Sequence, residues 1–195
     1  MRRVELRRPY LALVVVLAAV FVVPAAAAAQ TADRPAWTFG ATGGGGGTWD
    51  DEGSIGKGWL VGGFVDRRLS GRVDLEFAAD LLRHERDTGT GFQAEGHTTY
   101  LSAALIGRFG SPKTNVFLLG GGTVGIHSGT VAFTDLPPRE TDSSNVGFIF
   151  GAGLSVRTTT NLEIAPLVRM TLMRVSDDSD PYSSIMVGVR VGFGR

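Results

Sequence analysis

The sequence predicts an all-β fold: an eight-stranded antiparallel up-and-down β-barrel that spans a membrane. Three observations carry that expectation. Eight segments of about ten residues alternate between apolar and small or polar side chains, which is the period of a strand and the length a tilted strand needs to cross hydrocarbon. The connections alternate long and short, as when one end of a barrel carries tight turns and the other larger loops. Charged residues fall on the face opposite the apolar one, and a soluble core of this size would not bury so many.

Composition sets the bounds. A chain of 195 residues with 28 Gly and 43% hydrophobic residues is a single domain by size and too rich in glycine for a helical protein. With 19 basic and 19 acidic residues the formal charge is zero, so bulk charge points to no nucleic-acid partner. The absence of cysteine excludes a disulfide framework, a Cys-based zinc site and an amino-terminal lipoprotein cysteine. With three His in the chain and no metal-ligand spacing among them, no metal or other cofactor is expected.

Residues 1–29 read as a cleavable signal peptide. Met1 to Arg8 is basic, Leu11 to Val23 is apolar, and Ala25 to Ala29 offers the small residues that cleavage needs before Gln30. Pro24 and the alanine tail set this segment apart from an uncleaved anchor. Its removal takes four Arg and one Glu and leaves 15 basic against 18 acidic residues in the barrel domain, residues 30–195.

The first strand begins at Trp37, with Trp37, Phe39 and Ala41 on one face. Gly43 to Gly56 reads as a long flexible acidic loop; its five consecutive glycines lack the Lys-Ser/Thr and the following helix of a phosphate-binding loop. The second strand sets Trp59, Val61, Gly63 and Val65 against Leu60, Gly62, Phe64 and Asp66. A short turn, Arg67 to Gly71, leads to the third, where Val73, Leu75, Phe77, Ala79 and Leu81 oppose Asp74, Glu76, Ala78, Asp80 and Leu82. Arg83 to Gly96 reads as a long polar loop. The fourth strand, Thr99 to Phe109, turns Arg108 away from its apolar face, and Gly110 to Asn115 is a tight turn.

The fifth strand, Val116 to Ile126, carries a glycine triplet that suits a bulge or bend. Ser128 to Asn145, with Pro137-Pro138, reads as the longest loop. The sixth strand, Val146 to Arg157, turns Arg157 to the polar face, and Thr158 to Asn161 is short. The seventh, Leu162 to Met173, turns Glu163 and Arg169 inward and contains Pro166, which cannot donate to a ladder and predicts a bulge or a missing bond. After a last loop, Ser176 to Pro181, the eighth strand sets Ile185, Val187, Val189, Val191 and Phe193 against Met186, Gly188, Arg190 and Gly192.

An eight-stranded barrel is just wide enough to be filled by its own side chains. Asp66, Asp74, Glu76, Asp80, Arg108, Arg157, Glu163, Arg169 and Arg190 therefore form a plug of salt bridges rather than line a pore, with Asp74, Glu76 and Glu163 paired to Arg108, Arg169 and Arg190 in an order the sequence leaves open. Arg at position 189 is expected to be costly on a lipid face, and a polar residue at 186 much less so. Arg83 and Arg174 continue the lipid-facing parity past Leu81 and Leu172, where guanidinium would meet lipopolysaccharide phosphates.

At this point the chain resembles the eight-stranded outer-membrane barrel superfamily, which includes the transmembrane domain of outer-membrane protein A and the opacity-type proteins. The resemblance covers the whole mature chain as a pattern. Its most specific part is the alternating Val187, Val189, Val191 and Phe193, similar to the carboxy-terminal signal read by the outer-membrane assembly machinery, here followed by Gly194-Arg195. It implies a monomer in the outer membrane of a Gram-negative-type bacterium, in contact with outer-membrane lipid, lipopolysaccharide and the assembly machinery. The implied role is structural, adhesive or surface-interacting, not enzymatic, with an extracellular ligand that the sequence does not name.

The alternatives are a narrow pore and an outer-leaflet enzyme like the lipid A deacylases. Such an enzyme needs a His and a Ser two apart on the lipid face. His127 and Ser128 are adjacent and so oppose one another, while His97 shares a face with Thr99 and Glu95.

Overall fold

The structure, a computed structural model, describes residues 34–49, 54–87, 92–133, 136–158, 161–174 and 182–195. The leader expected at 1–29, the acidic residues 50–53 and the expected last loop at 176–181 lie outside them. Eight strands follow one another: β1 (Trp37–Trp49), β2 (Ser54–Arg68), β3 (Val73–Asp87), β4 (Phe92–Gly110), β5 (Thr114–Phe133), β6 (Leu136–Arg157), β7 (Leu162–Arg174) and β8 (Tyr182–Gly194). Each pairs antiparallel with its neighbour and β8 closes on β1, so the sheet has no free edge.

The register fixes the tilt. A row of cross-strand partners begun at Trp37 passes through Arg67, Leu75, Leu105, Gly120, Phe150, Met170 and Ile185 and returns to β1 at Gly47, ten residues farther along. With strands about 4.8 Å apart and a rise of about 3.3 Å per residue, that stagger tilts the strands by about 40°. The wall then sorts side chains by parity. Trp37, Phe39, Phe77, Leu101, Leu105, Phe148, Val187 and Phe193 stand exposed on the outside, while Phe64, Tyr100, Phe117, Ile149 and the charged residues are buried in the lumen.

Several stretches expected as loops are strand. Gly43–Gly47 lies inside β1, paired on both sides, from Gly43 opposite Val61 and Val189 to Gly47 opposite Lys57 and Ile185. Arg83–Asp87 and Phe92–Gly96 extend β3 and β4, and nearly all of Ser128–Asn145, Pro137 and Pro138 included, belongs to the β5–β6 hairpin. The reason is physical. Above the hydrocarbon both faces of a hairpin are wet, so the apolar alternation disappears while the backbone ladder continues.

Pro166 interrupts one side of β7. The β6–β7 pairing runs from Val146 opposite Arg174 to Gly153 opposite Leu167 and resumes in the same register at Val156 opposite Ile164. Its other side stays paired, with Pro166 opposite Val189. The missing bond expected there is present without a bulge.

The end at which β1 begins and β8 finishes is tied tightly. Trp37 and Arg195 exchange backbone hydrogen bonds at 3.2 and 2.8 Å, and the turns close with Leu69 N–H to Val73, Ser111 N–H to Thr114 and Thr158 N–H to Leu162 carbonyls.

Candidate functional site

The lumen holds a set of buried charges of both signs. Four carboxylates come from β2 and β3: Asp66, Asp74, Glu76 and Asp80. The cations that meet them come from β4, β7 and β8, on other sides of the barrel. Arg169 binds Asp80 with one nitrogen and Glu76 with the other, at 3.1 Å. Arg190 donates to Glu76 and Asp66, both at 2.5 Å. Arg108 donates to Asp74 at 2.6 Å and Glu163 at 2.9 Å, and approaches Asp66 at 3.6 Å. Arg157 reaches the other oxygen of Glu163 at 3.2 Å. One continuous chain of ion pairs therefore crosses the lumen.

A further member carries no signal in the sequence. Arg34, ahead of β1, donates to Asp74 at 2.5 Å, and its carbonyl accepts from Arg68. It lies in no alternating segment, so periodicity carries no information about it. With Arg34 the network holds five guanidiniums and five carboxylates, and its formal charge cancels.

Aromatic rings seat the guanidiniums. Arg190 stacks 3.7 Å above the Phe64 ring, and Arg108 and Arg190 lie at 5.6 and 5.7 Å from Phe117, a favourable contact of a cation with a ring face. Those rings lie against wall positions with no side chain: a Cβ at Gly153 would stand 2.5 Å from Phe117, and one at Gly40 would strike Phe64.

Two apolar clusters share the lumen with the ion pairs. Ala104, Ile106, Phe117, Leu119, Ile149, Ala165 and Leu167 pack beside the ion pairs, and Leu60, Leu82, Tyr100, Met173 and Met186 form a second group with Tyr182 against it. Met186, on the face expected to be polar, is buried in this apolar group, so the interior is mixed. Beyond that group His84 and His127 stack at 5.3 Å, with His127 Nδ1 3.1 Å from Thr98 Oγ1.

On the outside, Arg83 is exposed and paired with Glu85 at 3.3 Å. Arg174 ends β7 opposite Val146, on a different part of the wall from Arg83, whose partners are Trp59 and His97. Val187, Val189, Val191 and Phe193 line the outer face of β8, with Phe193 opposite both Phe39 and Leu162. His97 is opposite Ser128, which is opposite Asp142. In a Ser-His-acid triad the imidazole lies between hydroxyl and carboxylate, whereas in this row the serine does. Thr99 faces Ile126 instead.

A family model described as outer membrane protein beta-barrel domain matches residues 15–193. Comparison with curated proteins finds no match. Among solved structures, Neisserial surface protein A is similar, with a TM-score of 0.60 at 18% identity over 82% of this chain and 97% of that one. The attachment invasion locus protein Ail of Yersinia pestis, crystallised with the heparin analogue sucrose octasulfate, gives 0.52 at 12% identity over 80% and 99%. The outer membrane protein OprG of Pseudomonas aeruginosa gives 0.52 at 10% identity over 85% and 100%. At these identities the likeness is one of fold.

Proposed function

Because the chain belongs to the outer membrane protein beta-barrel domain family, we propose that it is a closed, non-enzymatic surface barrel that acts through its outer end and outer wall. The observation that supports this is the contrast between lumen and rim. The lumen is occupied by interlocked ion pairs and packed apolar side chains, while β4, β5 and β6 run for 19, 20 and 22 residues. About ten residues cross the hydrocarbon, so the extra length lifts a ribbon of sheet into the outer surface layer. Such a ribbon offers polar side chains on both faces to whatever meets the cell.

The test pairs two measurements. Purified protein in planar bilayers should give no steady unitary conductance. Cells displaying the barrel should adhere to a surface that cells displaying a β5–β6-shortened version do not, both versions keeping the gel shift of an unboiled barrel. A reproducible open level would replace this reading with a pore.

A further inference from the structure

We propose that the outer wall of β2 to β6 holds one outer-leaflet glycolipid, with its acyl chain in an apolar notch and its uncharged sugar in a polar hollow directly above. This deepens the surface-barrel reading and rests on it. Two hollows lie one over the other on this wall. The lower, of about 660 Å³, is walled by Phe77, Leu101, Val124 and Val146 and floored by Ala103 and Gly122. A Cβ at Gly122 would meet nothing within 4 Å, so the floor is open toward lipid. Phe77, Ala103, Gly122 and Phe148 are successive partners in one row, so two small residues sit between two exposed rings. That leaves a low apolar strip between the rings, suited to an acyl chain.

The upper hollow, of about 710 Å³, begins two residues farther up β4 and is lined by Trp59, Arg83, Glu95, His97, Ser128 and Asp142 among others. Trp59, Arg83, His97, Ser128 and Asp142 form one row of cross-strand partners. Because the strands tilt, the row climbs from β2 to β6. Trp59 stands where aromatic residues gather at the membrane boundary, and Ser128 and Asp142 stand above it. An amphiphile of the outer leaflet would reach both hollows at once.

Charge selects the head. Three carboxylates, Glu95, Glu140 and Asp142, line the upper hollow against a single guanidinium, Arg83, which is already paired with Glu85. That balance disfavours a phosphate. It suits sugar hydroxyls, which donate to carboxylates and exchange hydrogen bonds with Ser128, Thr130 and His97, while the exposed Trp59 ring offers a flat apolar platform.

The experiment uses the full chain with Trp37→Phe and Trp49→Phe, leaving Trp59 as the only tryptophan, in nanodiscs of phosphatidylcholine. Brominated-chain monogalactosyl diacylglycerol, phosphatidylglycerol or phosphatidylcholine is then titrated in, and quenching of Trp59 gives the affinity relative to bulk lipid. The galactolipid should bind at least three-fold over phosphatidylcholine. That preference should fall to parity in Gly122→Leu, which puts a side chain into the notch, and in Ser128→Ala/Asp142→Ala. It should persist in Val187→Leu on another part of the wall.

No galactolipid preference in the parent, a preference for phosphatidylglycerol, or a preference untouched by both sets of substitutions would each overturn the proposal. Failure of the surface-barrel reading is distinguishable, because it would show as planar-bilayer conductance whatever the lipid preference.

Discussion

At the scale of single residues, the ion pairs are worth most when one partner is removed. Arg169→Met would leave Asp80 without its arginine, while Glu76 keeps Arg190. Breaking one partner of a buried pair costs about 3 to 5 kcal/mol because a charge is left alone. We expect a loss of that size in denaturant unfolding from bilayers, and a smaller one in the double variant Arg169→Met/Asp80→Asn. Val189 makes the complementary case: it is exposed on the outer face, and Arg there should cost about 2 to 4 kcal/mol near the midplane. Met186, one pleat position removed from that face, packs with Leu60, Leu82 and Met173. Met186→Ala is therefore expected to cost about 2 to 5 kcal/mol for its cavity, and a nearly neutral result would mean that this part of the lumen is wet.

At the scale of the strand, parity was legible and length was not. The two-residue period orients Asp74, Glu76 and Asp80 toward one side of β3 because neighbouring outward positions are apolar, and no knowledge of the partner strand is needed. It fades above Leu81, where outward Arg83 and Glu85 follow, so the sequence marks the end of the hydrocarbon and not the end of the strand. Gly43–Gly47 was illegible for a different reason. Glycine carries no apolar signal, and β1 is held there by ladders from β2 and β8. The glycines of the wall also differ in what they permit. Gly153→Ala should cost about 1 to 3 kcal/mol, the range of overpacking, because its Cβ meets both the Phe117 ring and the Pro166 carbonyl oxygen. Gly122→Ala should leave the unfolding midpoint unchanged, since nothing stands near it. Equal effects at the two positions would show that both the Phe117 ring and the β7 backbone at Pro166 give way.

At the scale of the whole molecule, the lumen couples strands that the sheet keeps apart. Arg190 on β8 reaches Asp66 across 124 residues of sequence and Arg169 on β7 reaches Asp80 across 89. Such pairings cannot be read from sequence, because closure of the barrel decides which inward side chains meet. The same closure decides how the barrel responds to salt. Exposed pairs such as Arg83–Glu85 are screened within a Debye length of about 10 Å at 0.1 M salt and contribute little. The lumenal pairs are out of reach of that screening, since Asp66, Asp74, Glu76, Asp80, Arg108, Glu163, Arg169 and Arg190 are all buried. Thermal unfolding in a zwitterionic membrane should therefore shift by no more than a few degrees between about 50 mM and 1 M sodium chloride, although the screening length falls to ~3 Å at 1 M. A plug of charges bathed in water would lose stability steadily over that range and would also pass ions, so a strong salt dependence together with conductance would mark the lumen as a hydrated channel.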